Sequence, residues 1–258
     1  PDHLPLLLSK YYRYFFPKFA AKARRIATVS EFSKKDIAEK YSVSEKKIDV
    51  VYNGVNELYA PLEQKNIDET RRRFSSGQPY FLFVGSIHPR KNLRNQIRAF
   101  FEFKRKTESE YKFLVVGSDF YGGKSIKDEI ASSEYSDDVI FVGRQNPEDL
   151  RLLYGGAFAL TYVSYFEGFG IPILEAMRSG IPVITSTTTS MPEVGGDAVL
   201  TAEPDSIQDI SERMRILDRD QKLRNKLIEK GLERSQTFTW DKTARDLWAS
   251  VLNALRPS

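Results

Sequence analysis

Eight short apolar runs, separated by segments of helical pattern, constrain this 258-residue chain more than any other feature. The runs Ile26–Ser30, Asp49–Tyr52, Tyr80–Val84, Phe113–Val116, Val139–Val142, Ala159–Val163, Pro182–Ser186 and Ala198–Leu200 read as strands. Helical patterns lie near Leu93–Lys106, Lys124–Ser133, Glu148–Tyr154 and Ile173–Arg178. Several runs are almost continuously apolar, as expected when helices cover both faces of a parallel sheet. Ser206 to Leu255 reads as three helices broken near Asp218 and Phe238. The predicted fold is α/β, with a doubly wound, Rossmann-like parallel sheet over residues 58–240.

The first 57 residues do not fit that sheet. They hold a helix, the run Ile26–Ser30, a second helix (Ser33–Lys40) and the run Asp49–Tyr52, closed by the turn signal Asn53-Gly54. The polar stretch Glu57 to Asp68 reads as a linker. Residues 1–57 are therefore expected to be the tail of a different domain, and residues 241–258 a closing helix.

Composition removes several function classes. There is no cysteine, so disulfides and thiolate metal sites are excluded. Two histidines, His3 and His88, cannot build a histidine-rich metal centre. A formal charge of +4 is too mild to imply nucleic acid. No run approaches the roughly 18–20 apolar residues that span a bilayer. Leu4–Leu8 lacks the basic leader and cleavage site of a signal peptide, so a cytoplasmic protein is expected. Between Lys10 and Arg25 six cations (Lys10, Arg13, Lys18, Lys22, Arg24, Arg25) occur without an acid, interleaved with Tyr11, Tyr12, Tyr14, Phe15, Phe16 and Phe19. That pattern fits either a peripheral contact with the inner membrane face or a packed amphipathic helix with a solvated basic side.

Two segments carry chemistry. Glu167-Gly-Phe-Gly-Ile-Pro-Ile-Leu-Glu175 follows the run Ala159–Val163. Pro172 favours a helix start, which places Glu167 in the loop and Glu175 in the first turns of the helix. Gly168 and Gly170 allow close backbone approach, and free N–H groups at the helix start attract anions. Carboxylates on either side of an anion site suit a ligand with phosphates and hydroxyls, such as a nucleotide sugar. The second segment is Phe83-Val-Gly-Ser-Ile-His-Pro-Arg-Lys-Asn-Leu93, with Asn92 as the expected helix N-cap. Arg90 and Lys91 there are either a solvated basic pair or a clamp for a diphosphate. Ligands of open parallel sheets bind at the carboxyl ends of strands, and both segments follow strands of one sheet, which favours the clamp.

Together these segments resemble the retaining nucleotide-sugar glycosyltransferases of the two-domain GT-B type, family four. The resemblance extends to Thr28-Val-Ser-Glu-Phe-Ser-Lys34, Val51-Tyr-Asn-Gly-Val55, Met191-Pro-Glu-Val-Gly195 and Phe238-Thr-Trp-Asp-Lys-Thr243. The Gly85-Ser-Ile-His-Pro-Arg-Lys-Asn92 form looks most like bacterial mannosyltransferases of surface-polysaccharide pathways. The resemblance implies a hexose, mannose first, moved from a GDP- or UDP-sugar to a glycan or lipid-linked acceptor, without a metal. It implies that Arg90 and Lys91 bind the diphosphate and Glu167 binds sugar hydroxyls. It implies donor contacts at Gly85, Ser86, Gly168, Phe169, Gly170 and Ile171, ribose held by Glu175, and the base lying against Val142, Gly143 and Arg144. In that family the acceptor site belongs to the N-terminal domain, so this chain alone is expected to bind donor weakly and not to transfer sugar.

Competing readings remain at this stage. The carboxylate pair could be the acid and nucleophile of a retaining glycosidase, but its phosphate-type helix start and the Arg90-Lys91 pair speak against that. A nucleotide-sugar-binding module or an epimerase of the same architecture is the main alternative. Ser118–Ser125 ends like a phosphate loop but lacks its first glycine. Asp218-Arg-Asp220 matches a metal-binding Asp-x-Asp but sits where Asp is a common helix cap.

Overall fold

The computed structural model describes residues 6–118 and 123–255. The chain begins with helix α1 (Leu6–Lys22), strand β1 (Ile26–Thr28), α2 (Glu31–Tyr41) and β2 (Ile48–Val50). Then follow α3 (Gln64–Ser75), β3 (Tyr80–Val84), α4 (Leu93–Thr107), β4 (Lys112–Val116), α5 (Gly123–Ile130), β5 (Val139–Gly143), α6 (Pro147–Gly156) and β6 (Ala159–Tyr162). The remainder is α7 (Ile171–Arg178), β7 (Val183–Ser186), α8 (Met191–Gly195), β8 (Leu200–Ala202), α9 (Ile207–Arg219), α10 (Gln221–Ser235) and α11 (Trp240–Leu255).

Six strands form one parallel sheet in the order β5-β4-β3-β6-β7-β8. The chain winds outward in one direction from β3 and in the other from β6, so the order reverses between these two central strands. Side chains alternate across a strand, and here both faces are buried. Tyr80 and Leu82 of β3 join Leu114, Leu160 and Val183 against Leu153 and Tyr154 of α6 and Ile173, Leu174 and Met177 of α7. Phe81 and Phe83 face the other way, with Phe113 and Ile184, against Phe100 and Phe103 of α4 and Ile210 and Met214 of α9. Phe81 meets Phe103 edge-on at 5.3 Å between centroids. Each fully buried Phe here contributes about 1.5–3 kcal/mol of apolar transfer.

β1 and β2 pair with each other in parallel, Ile26 opposite Ile48, and not with the larger sheet. α11 reaches back to this unit. Ser250 Oγ donates to Asp49 Oδ2 at 2.7 Å, Thr243 Oγ1 donates to the Tyr52 carbonyl at 2.7 Å, and Arg24 Nη1 donates to the Ala254 carbonyl at 3.0 Å. Gly54 packs so closely on α11 that an added Cβ would lie 2.3 Å from Trp240 N.

Three expectations need correction. The expected linker is partly helix: α3 occupies Gln64–Ser75. Its buried residues are the polar Thr70 and Ser75, with Phe74 packed partly against the core, so its apolar signal is weak. The last strand is Leu200–Ala202, because Gly196–Ala198 forms a 3-10 turn. Asn92 stands at the N-cap position of α4 but is left-handed (φ 56°) and makes no side-chain cap bond.

The aromatic residues Tyr11, Tyr12, Tyr14, Phe15, Phe16 and Phe19 of α1 are exposed on this chain. Among the described residues, no helix is long and apolar enough to cross a membrane. His3 and residues 119–122 of the phosphate-loop-like segment lie outside the described residues. The Asp-x-Asp pair is structural: Asp218 Oδ1 accepts from Tyr111 Oη at 2.9 Å, and Asp220 Oδ1 accepts from Leu223 N at 2.8 Å as the cap of α10.

Candidate functional site

The loops leaving β3 and β6 meet where the strand order reverses, the place at which open α/β sheets bind ligands. After β3, Gly85 (φ 151°) donates its N–H to the Val116 carbonyl at 2.9 Å. Pro89–Lys91 then form one 3-10 turn, in which His88 Nδ1 accepts from Arg90 N at 3.1 Å. Asn92 fixes this turn to the next strand instead of capping a helix. Its Nδ2 donates to the Val163 carbonyl at 3.0 Å and to the Pro204 carbonyl at 2.7 Å.

The loop after β6 is held from several sides. Ser190 Oγ donates to the carbonyls of Glu167 (2.9 Å) and Phe169 (3.0 Å). Ser30 Oγ (2.7 Å) and Ser33 Oγ (3.0 Å) both donate to the Gly168 carbonyl. Gly170 adopts φ 105°, a region that favours glycine, and leads into α7. Phe169 is buried, with its ring 6.0 Å from both Tyr52 and Phe238. Its side chain therefore belongs to the core, and only its backbone can face a ligand. The helix start offers fewer donors than expected, since Pro172 stands at the second position without an N–H and Ile173 N is bonded to the Gly170 carbonyl.

Arg90, Lys91 and Glu167 come together. Glu167 Oε1 lies 2.7 Å from Arg90 Nη1 and 2.5 Å from Lys91 Nζ. Arg90 Nη1 also donates to the Phe166 carbonyl. Lys91 is 9% exposed and Glu167 8%. Lys91 Nζ donates to Tyr162 Oη at 2.5 Å and lies 4.7 Å from the centre of that ring. Burial lowers the Lys91 pKa, and the adjacent Glu167 carboxylate opposes the shift. Burial, reinforced by Glu167, keeps the Tyr162 phenol well above its ordinary range.

Glu175 stands apart from this group. It lies on α7, where it accepts from Tyr154 Oη at 2.7 Å. Burial raises its pKa, while hydrogen bonds from Tyr154 and Tyr59 pull the other way. It lines a cavity of about 420 Å³ together with Arg144, Leu150, Ile171 and Trp240. Gly143 (φ 70°) and Arg144, at the end of β5, are exposed, and Val142 and Ser86 are half-buried. The site thus has a cationic centre at Arg90–Lys91 and a carboxylate-lined cavity at Glu175. Among the described residues, no group of three or more His, Asp or Glu side chains is placed to hold a metal ion.

Sequence reasoning missed the residues that hold the loops. Glu193 Oε1 accepts from Glu31 N (2.7 Å) and Tyr52 Oη (2.8 Å), and its Oε2 accepts from Phe32 N (3.0 Å). Ser30, Ser33 and Glu193 all lie in motifs that carried the resemblance, but their pairing across more than 130 positions leaves no local signal.

The architecture recurs among glycosyltransferases of known structure. Anabaena Alr3699/HepE, solved with UDP and glucose, matches with a TM-score of 0.85 at 18% identity, over 99% of this chain and 69% of that one. WaaG, a glycosyltransferase involved in lipopolysaccharide biosynthesis, matches with a TM-score of 0.77 at 19% identity, over 99% and 71%. The fold is that of the GT-B glycosyltransferases. The chain belongs to the family of glycosyl transferases group 1, which matches residues 64–234, and the Glycosyltransferase Family 4 description matches residues 1–57. Among curated relatives, O-antigen chain mannosyltransferase B of Escherichia coli is 28% identical over 242 residues, covering 93% of this chain and 64% of that protein. O-antigen chain mannosyltransferase RfbU of Salmonella typhimurium is 33% identical over 195 residues, covering 76% and 51%. The chain spans less than two thirds of the length of these relatives.

Proposed function

We propose that this chain is the donor-binding part of a retaining hexosyltransferase. The whole enzyme moves a hexose, mannose first, from a GDP- or UDP-sugar to a glycan or lipid-linked acceptor, without a metal. The observation that carries this reading is the meeting of Arg90 and Lys91 after β3 with Glu167 after β6, at the reversal of strand order, with Glu175 lining a separate cavity from α7. Residues 58–240 form the donor side, residues 1–57 belong to the acceptor side, and residues 241–258 pack back toward the latter. The likeness to O-antigen mannosyltransferases supports mannose and polysaccharide synthesis. The exposed aromatic residues of α1, with its basic side chains, support a peripheral contact with the cytoplasmic membrane face, where a lipid-linked acceptor would be presented.

In the reaction the bond between sugar C1 and the diphosphate oxygen breaks, and its electron pair stays on the diphosphate. The acceptor oxygen bonds to C1, and its proton passes to the departing diphosphate. Arg90 and Lys91 stabilise the charge that builds on that leaving group, a preorganised electrostatic effect. Glu167 accepts hydrogen bonds from sugar hydroxyls. Glu175, held by Tyr154 and Tyr59, accepts from the ribose hydroxyls. The cavity beside Arg144 and Trp240 takes the base.

Calorimetric titration with GDP, UDP, ADP and their sugar forms, with and without magnesium, tests this reading. Magnesium-independent binding of one nucleotide is expected. Glu175→Ala should weaken it about tenfold or more, the scale of lost hydrogen bonds to a charged group. Absence of binding by every nucleotide refutes the reading.

A further inference from the structure

The site neutralises its cations with its own carboxylate. One oxygen of Glu167 contacts both Arg90 (2.7 Å) and Lys91 (2.5 Å). Lys91 and Glu167 are nearly enclosed, whereas the Arg90 side chain is 37% exposed and forms the open side of the group. A diphosphate entering from that side needs the same two cations. Glu167 cannot simply be abandoned, because a nearly buried carboxylate without partners is costly.

We propose that Glu167 is an internal counter-anion that competes with the donor's diphosphate for Arg90 and Lys91. This rests on the donor-site reading above. With a nucleotide sugar bound, the diphosphate takes the cations and the sugar hydroxyls become the donors to Glu167. After transfer the sugar has left with the acceptor, and Glu167 has lost those donors. The carboxylate, left beside the Tyr162 hydroxyl but without the sugar's donors, then faces a nucleoside diphosphate and repels it. Glu167 returns to Arg90 and Lys91, and the nucleotide is expelled. The same residue thus favours the loaded donor over the spent one. The discrimination comes from which ligand can satisfy the carboxylate, not from extra contacts to the phosphates.

The test compares the unmodified chain with Glu167→Gln and Glu167→Ala by calorimetry at low salt, after thermal melting has shown which variants are folded. The ligands are GDP, UDP, inorganic pyrophosphate, GDP-mannose and UDP-glucose. Both variants should bind pyrophosphate and the preferred nucleoside diphosphate about five- to tenfold tighter, the scale of a relieved, partly screened like-charge contact. Their affinity for the sugar nucleotide should rise less or fall, so the ratio of the two affinities shifts toward the spent nucleotide. A merely structural role would weaken both ligands together. Equal or weaker diphosphate binding by the variants overturns the proposal while leaving the donor-site reading intact. Tighter pyrophosphate binding without binding of any nucleotide overturns the donor-site reading, and with it the discrimination between loaded and spent donor. No binding of any ligand by any form overturns both.

Discussion

Replacing Tyr154 with Phe isolates one contact in the carboxylate-lined cavity. Tyr154 is fully buried, and its hydroxyl donates to Glu175 Oε2 at 2.7 Å. The ring of Phe fills the same space, so the change removes the hydrogen bond and little else. A hydrogen bond to an ionised acceptor is worth about 1.5–3 kcal/mol. Glu175 borders an open cavity and keeps a bond from Tyr59, which places the loss near the lower end, ~1.5 kcal/mol. That corresponds to a fall of about 3–6 °C in melting temperature for a chain of this size.

The loss must depend on pH. Burial raises the Glu175 pKa above its ordinary 4.5. The folded state therefore holds this proton better than the unfolded state. The stability from that preference is complete below about 4.5 and disappears as pH rises through the raised value. The Tyr154 hydroxyl favours the ionised carboxylate, so Tyr154→Phe pushes the folded pKa higher still. Its penalty should be larger at pH 8 than at pH 4, because the lost hydrogen bond favours the ionised carboxylate and protonation of Glu175 becomes more complete as pH falls. Urea unfolding of both proteins at pH 4, 6 and 8 measures this. A penalty independent of pH, or no penalty at pH 8, refutes the argument.

Two further substitutions probe the frame around the site. Gly117→Ala puts a Cβ 1.9 Å from the Gly85 carbonyl oxygen at φ 146°, so it should cost about 2–4 kcal/mol and weaken nucleotide binding through Gly85; a loss below about 1 kcal/mol in chemical unfolding would count against that packing. Glu193→Gln removes the charge that accepts from Glu31 N and Phe32 N at the start of α2, and should cost about 1–2 kcal/mol. Faster hydrogen exchange in α2 is the matching signal, and unchanged protection there would contradict the assignment.

The large sheet was legible because its strands are buried on both faces and so stand out as apolar runs between helices. α3 was not, since it packs one small face and leaves the rest in water. Arg90, Lys91, Glu167 and Glu175 could be placed at the ends of strands from the sequence. Their division could not: Glu167 joins the cations only because β3 and β6 are neighbours, and Glu175 turns instead to Tyr154 and Tyr59. Asn92 looked like a cap by position, but the left-handed turn at the end of Pro89–Lys91 redirects its amide to Val163 and Pro204. Ser30, Ser33 and Glu193 depend on contacts between segments far apart in sequence, which no local pattern encodes.

The bond from Ser250 to Asp49 joins residues 201 positions apart. At synthesis rates of about 5–20 residues per second, Asp49 waits roughly 10–40 s on the ribosome before its partner is made. Every strand of the large sheet has by then emerged, because β8 ends at Ala202. The three-residue strands β1 and β2 are too short to hold by themselves during that wait. The pairing of β1 and β2 with α11 is therefore completed only after the large sheet, and nascent chains stalled before α11 should show Asp49 without its Ser250 partner while the large sheet is already closed.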